Sequence, residues 1–140
     1  MTDMTRVYSV GELPDLAHRA HQCSIDIHRA VSQMGKPSVK AADLYNLAIS
    51  IAKEAGLENY FMGHTQKAGF IGHGVGIEVN EAPVLAPRSK DISEGNQVIA
   101  LEPKFVIPHV GAVGIEDTYT VTPEGMKAIT NAPIEIVSLS

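Results

Sequence analysis

The 140-residue sequence has little of several features that define protein classes. Its single cysteine, Cys23, cannot form an internal disulfide, which excludes the small disulfide-stabilised secreted domains. No apolar run approaches the ~20 residues that a membrane-spanning helix needs. The first residues, MTDMTRVYSV, lack the basic and then apolar stretches of a signal peptide. These absences predict a cytoplasmic protein that does not enter a membrane.

Positive charge is also in short supply. Eleven Lys and Arg residues stand against sixteen Asp and Glu residues, which gives a formal net charge of −5. Because nucleic-acid binding needs clustered positive charge, we expect no nucleic-acid partner. The 44% of hydrophobic and 19% of charged residues are typical of a globular domain, and no repeat or flexible linker divides the chain. Residues 1–140 are therefore predicted to lie in one domain.

Apolar periodicity predicts two helices early in the chain. Residues 5–10 are rich in β-branched and aromatic types and predict a strand, which Gly11 ends. Apolar residues then recur at steps of three and four over 13–34, which predicts a helix of about 20 residues. Ser38 is a favourable N-cap for a second helix, and Gly56 is placed to end it.

Short β-like runs follow from residue 57 onward, separated by Gly and Pro. The segment 82–96 contains two prolines and several charges, and it is predicted to be a surface loop. Helices grouped ahead of antiparallel strands favour an α+β fold, with the helices on one face of a curved sheet. The predicted strands are residues 75–79, 97–101, 105–107, 112–121 and 134–137.

Most of the six histidines lack a pattern that indicates metal binding. His18, His21 and His28 share a stripe of the first predicted helix, but no carboxylate stands at the spacing of a helical zinc site. This row is predicted to be a partly solvated helix face. His64 and His109 lie in polar, turn-like segments and are predicted to be exposed.

The sixth histidine, His73, lies between glycines in residues 72–76 (GHGVG). With so little bulk around it, a metal or substrate could approach the backbone closely. The alternative is that the glycines form a bulge and His73 fills a hole in the core. The glycine spacing matches neither a dinucleotide-binding nor a phosphate-binding loop.

Two glutamates, Glu102 and Glu116, interrupt apolar strand-like runs. A buried carboxylate without a partner is costly, so each requires a cation. Lys104 and Arg6 are the basic residues nearby in sequence, and a salt bridge readily explains one glutamate but not both. Carboxylates combined with the imidazole of His73 suit divalent metals such as Mn, Co, Fe or Zn.

Four segments resemble the motifs of a known enzyme family. Residues 72–83, 101–103 and 111–117 closely resemble the three motifs of the pita-bread metallopeptidases, in particular the Xaa-Pro dipeptidase and aminopeptidase branch. Residues 2–11 resemble the segment that carries the second of the family's two aspartate ligands. The resemblance implies a pita-bread fold and the C-terminal part of a catalytic domain, truncated at its N-terminal side.

The resemblance also implies a role for individual residues. Asp3, His73, Glu102 and Glu116 would bind two divalent metal ions, which activate water to cleave the peptide bond next to the N-terminal residue. Glu102 would also carry a proton to the leaving amine. Asn80, where the family usually has a histidine, would donate a hydrogen bond to the substrate carbonyl.

Several positions depart from the family pattern. Gly69 replaces a helper histidine, for which His64 would substitute if its loop folds back. Lys104 and Gly114 stand where glycine and arginine are usual, and the family's first aspartate ligand would lie upstream. These departures predict weak metal binding and little activity for the 140 residues alone.

Three functions are compatible with these residues. The leading interpretation is a metallopeptidase that acts on a peptide or dipeptide. The others are a hydrolase of a different C–N bond, as in creatinase, and a non-catalytic pita-bread module whose acidic pocket binds a peptide. Missing strands would leave an open sheet edge, which favours pairing as a homodimer.

Overall fold

The structure of residues 1–140 is a computed structural model. Its fold begins with one short strand followed by two helices. Helix α1 spans Asp15–Met34 and helix α2 spans Ala41–Glu54, and a 3₁₀ turn follows at Glu58–Tyr60. No helix has both the length and the apolar character to cross a membrane. The strands are β1 (Tyr8–Val10), β2 (Gly72–Gly74), β3 (Glu81–Leu85), β4 (Val98–Leu101), β5 (Lys104–Ile107), β6 (Gly111–Gly114), β7 (Asp117–Thr122), β8 (Gly125–Ala128) and β9 (Val137–Leu139).

The main sheet has five antiparallel strands in the order β3-β2-β4-β7-β8. Strands β5 and β6 form a separate antiparallel hairpin, and β1 pairs in parallel with β9. Helix α1 packs against α2, the β5–β6 hairpin and β8, and α2 packs against β3. This arrangement confirms the predicted α+β class.

The apolar seam of α1 is buried in its middle as predicted, whereas Met34 at its end is exposed and Ala17 and Val31 join the buried face. Because residues three and four apart share one helix face, this seam faces the sheet continuously. It joins α2 and the strands in a core of 22 residues, in which Phe61 and Phe105 are fully buried and pack ring to ring. The seam residues in this core are Ala17, Ala20, Cys23, Ile27 and Val31.

Strand β2 differs from its prediction. Residues 75–79 were expected to form a strand, but they lie in a turn, and the strand occupies residues 72–74. A Cβ on Gly72 would lie 2.6 Å from the Ala100 carbonyl oxygen, and one on Gly74 would collide with the Ala82 backbone. The absence of side chains at positions 72 and 74 therefore lets β2 fit between β3 and β4. Local strand propensity does not reveal this.

Other boundaries also differ. The predicted loop 82–96 contains most of β3, because Pro83 lies on the edge of the sheet, where a missing N–H is tolerated. The predicted strand 112–121 is divided between β6 and β7, since Glu116 turns away to pair with Thr5. The predicted strands 5–10 and 134–137 are shortened and shifted to β1 and β9, and β8 was not predicted.

The start of α2 was also predicted wrongly. Ser38 has φ 74 and donates its backbone N–H to Ser93 instead of capping the helix. Lys40 forms a bridge with Ile92 and occupies the N-cap position. Pairing with the loop before β4 therefore moves the N-cap two residues along, from 38 to 40.

Candidate metal centre

Four predicted ligand side chains converge on one point. The Nε2 atom of His73 lies 3.1 Å from Glu102 Oε2, 3.8 Å from Asp3 Oδ2 and 4.0 Å from Glu116 Oε1. One ligand atom each from Asp3, His73 and Glu116 lies within 4.8 Å of the others. His73 is buried, and Asp3 is partly exposed at the rim. The arrangement is a nearly enclosed cluster of one imidazole and three carboxylates.

Main-chain pairing positions two of these ligands. His73 lies in β2 opposite Ala100 of β4, and Glu102 follows the last residue of β4. Because β2 and β4 are hydrogen-bonded neighbours, the 29 residues between His73 and Glu102 still leave the two side chains in contact. The sheet thus fixes the imidazole against a carboxylate.

The other two ligands are positioned through the start of the chain. Glu116 lies between β6 and β7, and its backbone exchanges hydrogen bonds of 3.0 and 3.1 Å with Thr5. The backbone N–H of Asp3 donates to the Thr118 hydroxyl (2.8 Å), which donates in turn to the Asp3 carbonyl (2.7 Å). Thr118 is fully buried, so this contact fixes Asp3 beside Glu116.

The hydrogen bonds of His73 leave one ring nitrogen available. Its Nδ1 lies 3.0 Å from the Gly74 carbonyl oxygen, which can only accept a hydrogen bond, so Nδ1 carries a proton. In the neutral ring, Nε2 then presents a lone pair toward the carboxylates of Glu102, Asp3 and Glu116. A cation at this point removes the repulsion, which is the usual arrangement of a metal-binding histidine.

Glu116 gives an independent indication of the same cation. Its Oε2 accepts a 2.8 Å hydrogen bond from the Thr5 hydroxyl, whereas its buried Oε1 has no hydrogen-bond partner. Burial, followed by the negative charges of Glu102 and Asp3, raises the pKa of Glu116 to about 7, although the Thr5 hydrogen bond opposes this shift. A metal ion would satisfy Oε1, so the residues present fit a divalent cation.

Nearby basic residues neutralise only part of the acidic charge. Lys104 Nζ lies 2.8 Å from Glu102 Oε1, and Arg6 Nη2 lies 2.8 Å from Asp117 Oδ1. Asp3 and Glu116 have no lysine or arginine partner. Two uncompensated carboxylates remain, and they match the charge of one divalent ion.

Polar residues of α1 hold the segments that flank both glutamates. The Ser24 hydroxyl donates to the Pro103 carbonyl (2.7 Å) and accepts from the Ile115 N–H (3.1 Å). His28 Nε2 lies 2.9 Å from the Ile115 carbonyl oxygen, and its Nδ1 lies 2.8 Å from the Tyr119 hydroxyl. Since the Ile115 carbonyl can only accept, Nε2 donates and Nδ1 accepts from Tyr119. One helix face thus fixes the residues next to Glu102 and Glu116.

The predicted solvated histidine row is therefore wrong for two of its members. His21 and His28 are buried, while His18 is exposed. Burial lowers the pKa of both buried rings, and that of His28 falls to about 4. Polar residues on one helix face have the same sequence spacing whether their side chains bond to water or to backbone carbonyls. The acceptors here are the carbonyls of Ile134 for His21 and of Ile115 for His28, and both come from segments distant in sequence.

The remaining predicted residues lie outside the cluster. His64 is exposed, its ring stacks on Tyr60 with 6.1 Å between centroids, and it makes no hydrogen bond with the four ligands. Asn80 is exposed in the turn after β2 and makes no side-chain bond with them either. His109 is exposed in the β5–β6 turn, as predicted.

Three hydroxyl residues of the site were not found from the sequence: Thr5, Thr118 and Ser24. Thr5 and Thr118 each follow a ligand, Asp3 or Glu116, by two residues, the spacing at which strand residues share a face. Ser24 precedes His28 by four residues, which places both on one helix face. These spacings are the signal that would have indicated them.

The profile of metallopeptidase family M24 matches residues 1–123. The Xaa-Pro dipeptidase of Pyrococcus furiosus is 31% identical over 136 residues, which are 97% of this chain and 37% of that protein. This chain thus spans a little over a third of the length of the curated relatives it matches.

Solved structures give the same result. A dipeptidase from Pyrococcus horikoshii superposes with a TM-score of 0.87 at 27% identity, covering 99% of this chain and 37% of that one. The Xaa-Pro dipeptidase from Bacillus anthracis gives a TM-score of 0.84 at 32% identity, covering 97% and 37%. The predicted pita-bread fold is confirmed.

Proposed function

Because the chain belongs to metallopeptidase family M24, we propose that the protein hydrolyses the peptide bond after the N-terminal residue of Xaa-Pro peptides. The observation that carries this proposal is the convergence of three carboxylates on the lone pair of His73, where the Glu116 Oε1 atom has no hydrogen-bond partner. Similarity to proteins named Xaa-Pro dipeptidase supports the substrate class.

Asp3, His73, Glu102 and Glu116 are the residues that would hold divalent metal, with Mn, Co, Zn and Fe as the ions that suit this donor set. Two such ions, when bound, supply an activated water nucleophile and polarise the scissile carbonyl. Two ions need further ligands beside these four side chains, and we propose that an additional carboxylate completes the two-metal site.

The chain's own residues supply the proton transfer and the orientation. Glu102 would accept the proton lost by the attacking water at Oε2, the oxygen turned toward His73, and would deliver it to the leaving amine. The Thr5 hydroxyl fixes the orientation of the Glu116 carboxylate. Asn80, in the exposed turn after β2, is the proposed hydrogen-bond donor to the substrate carbonyl.

The first test is metal content, measured by elemental analysis of the full-length protein with Glu116 intact and with Glu116→Gln. The variant keeps the side-chain volume but loses the charged oxygen, so we expect stoichiometric metal in the wild type and sub-stoichiometric metal in the variant. A wild type that holds no divalent metal would exclude hydrolysis by this mechanism and favour a peptide-binding module.

The second test is activity with Mn or Co on Xaa-Pro dipeptides and on creatine-like amidines. We expect hydrolysis of the dipeptides, lost in Glu102→Ala and kept in Glu54→Ala, a matched control at the exposed end of α2. Hydrolysis of the amidines alone would assign the protein to another C–N bond. Full activity of Glu102→Ala would refute the proposed proton transfer.

A further inference from the structure

A cavity of about 230 Å³ opens beside the carboxylate cluster. Glu102 and Glu116 line it, as do residues preceding and within β1 and residues of the β5–β6 hairpin. Two basic residues, Arg6 and Lys104, also line it. A ligand that occupies this cavity contacts the cluster at the same time.

Arg6 has no hydrogen-bond donor left for such a ligand. A guanidinium carries five N–H bonds, and all five are used within the protein. Its side chain is 8% exposed. The acceptors are the carbonyls of Pro133, Thr5, Glu116 and Ala132 and the Asp117 carboxylate, at 2.8 to 3.1 Å.

Lys104 has donors to spare. Of the three N–H bonds of its ammonium, one is donated to Glu102 Oε1 at 2.8 Å, and the other two have no acceptor within the protein. Its side chain is 39% exposed, so the ammonium lies where cavity meets solvent. Lys104 is therefore the cation in this cavity that can bind an anionic group of a ligand.

The strand opposite Lys104 contributes no competing charged side chain to the cavity. Lys104 pairs directly with Gly114 across the β5–β6 hairpin. A Cβ on Gly114 would lie 2.6 Å from the Pro103 carbonyl oxygen, and its φ of +154 disfavours any other residue. Ala112, also lining the cavity, is small. Close packing therefore requires glycine at position 114, and of this cross-strand pair only Lys104 presents a side chain to the cavity.

We propose that Lys104 is a specificity-determining residue that binds the free C-terminal carboxylate of a dipeptide substrate. The proposal rests on the proposed function, because it assumes that the scissile bond lies at the carboxylate cluster. In a dipeptide the carboxylate lies one residue beyond that bond, whereas a longer peptide has a neutral amide there. An ammonium binds the carboxylate more strongly than the amide, so Lys104 favours dipeptides over longer peptides.

The test compares alanyl-proline with alanyl-prolinamide, which lacks the carboxylate charge. In the full-length, metal-loaded protein we expect kcat/KM to favour the acid roughly ten- to hundredfold. Lys104→Met should bring this ratio close to one by raising KM for the acid, and Lys104→Arg should keep much of the preference. Lys127→Met, at an exposed lysine of β8, is the matched control and should leave the ratio unchanged. Thermal melting checks that each variant is folded.

Two outcomes overturn the proposal. If Lys104→Met slows hydrolysis of acid and amide equally, Lys104 acts by positioning Glu102 and does not bind the carboxylate of the substrate. If the ratio stays at its wild-type value, Lys104 has no role in recognition.

Calorimetric binding of alanyl-proline to the metal-free protein separates this proposal from the proposed function. If neither compound is hydrolysed, the proposed function fails, and the affinities still decide the role of Lys104. At least tenfold weaker binding by Lys104→Met supports recognition of the carboxylate, and equal affinity of wild type and variant refutes it.

Discussion

Arg6–Asp117 and Lys104–Glu102 are the two basic–acidic pairs next to the carboxylate cluster, and both have an N–O distance of 2.8 Å. Their surroundings differ. The first pair is almost fully buried, and every donor of Arg6 is used, whereas the Lys104 side chain is 39% exposed and keeps two free donors. Distance and charge alone would not separate them.

The difference assigns a separate task to each pair. Arg6 joins the start of the chain to β7 and to the carbonyls of Ala132 and Pro133, so it holds the segment that carries Asp3. Lys104 joins only its near neighbour in sequence, Glu102. Saturated hydrogen bonding and burial mark a structural cation, and free donors at a cavity mark a cation that is available to a ligand.

The largest effect is expected from Arg6→Met. The substitution leaves the Asp117 charge buried without its partner and several carbonyls without donors, which should lower the free energy of unfolding by about 3–5 kcal/mol. Urea denaturation measures this loss. Arg6→Lys keeps the charge but makes fewer hydrogen bonds, so its free energy of unfolding should lie between those of Arg6→Met and the wild type. A loss below ~1 kcal/mol for Arg6→Met would show that the pair is not structural.

The next largest effect on the free energy of unfolding is expected from His28, a buried side chain whose two ring nitrogens are both hydrogen-bonded. Its pKa is about 4 in the folded protein against 6.5 as the ordinary value, so between these pH values the unfolded chain binds more protons. The His28 contribution is thus fully present above pH 6.5 and declines as the pH falls toward 4, by about 3 kcal/mol at most. Because other groups titrate in the same range, the measurement is the difference between the wild type and His28→Gln in urea denaturation at several pH values. A pH-independent difference would contradict the assignment.

The smallest effect is expected from Lys104→Met on stability. A partly exposed ion pair contributes about 0–1 kcal/mol, so the variant should unfold within ~1 kcal/mol of the wild type. Thermal and urea denaturation of the wild type, Lys104→Met and the control Lys127→Met measure this difference in stability. A loss as large as that of Arg6→Met would remove the distinction between the two pairs.

The sequence predicted the helices better than the strands. The apolar seam of α1 is local and repeats over 20 residues, so its extent followed from the pattern. Strands of three to six residues carry little periodicity, and their partners are distant in sequence. The parallel pairing of Tyr8 with Val137 joins opposite ends of the chain, which no local pattern indicates.

Within the site, carboxylates in apolar runs and the motif resemblance led to Asp3, His73, Glu102 and Glu116, which the fold brings together. The roles of Ser24 and His28 could not be predicted in the same way. Polar residues at helical spacing are typical of a solvent-facing surface. Their burial depends on the β5–β6 hairpin covering that face of α1, which is a tertiary contact.

The hydrogen bonds of Ser24 and His28 have a consequence for how the molecule unfolds. The Ser24 hydroxyl bonds to both segments that flank Glu102 and Glu116, and His28, one turn further along the same 20-residue helix, holds the second of them, so this helix sets the spacing between the two segments. The same helix carries the apolar seam of the core. Local opening that frays strand ends leaves this spacing intact, whereas loss of α1 removes the core and the carboxylate cluster together. The site and the core therefore belong to one cooperative unit.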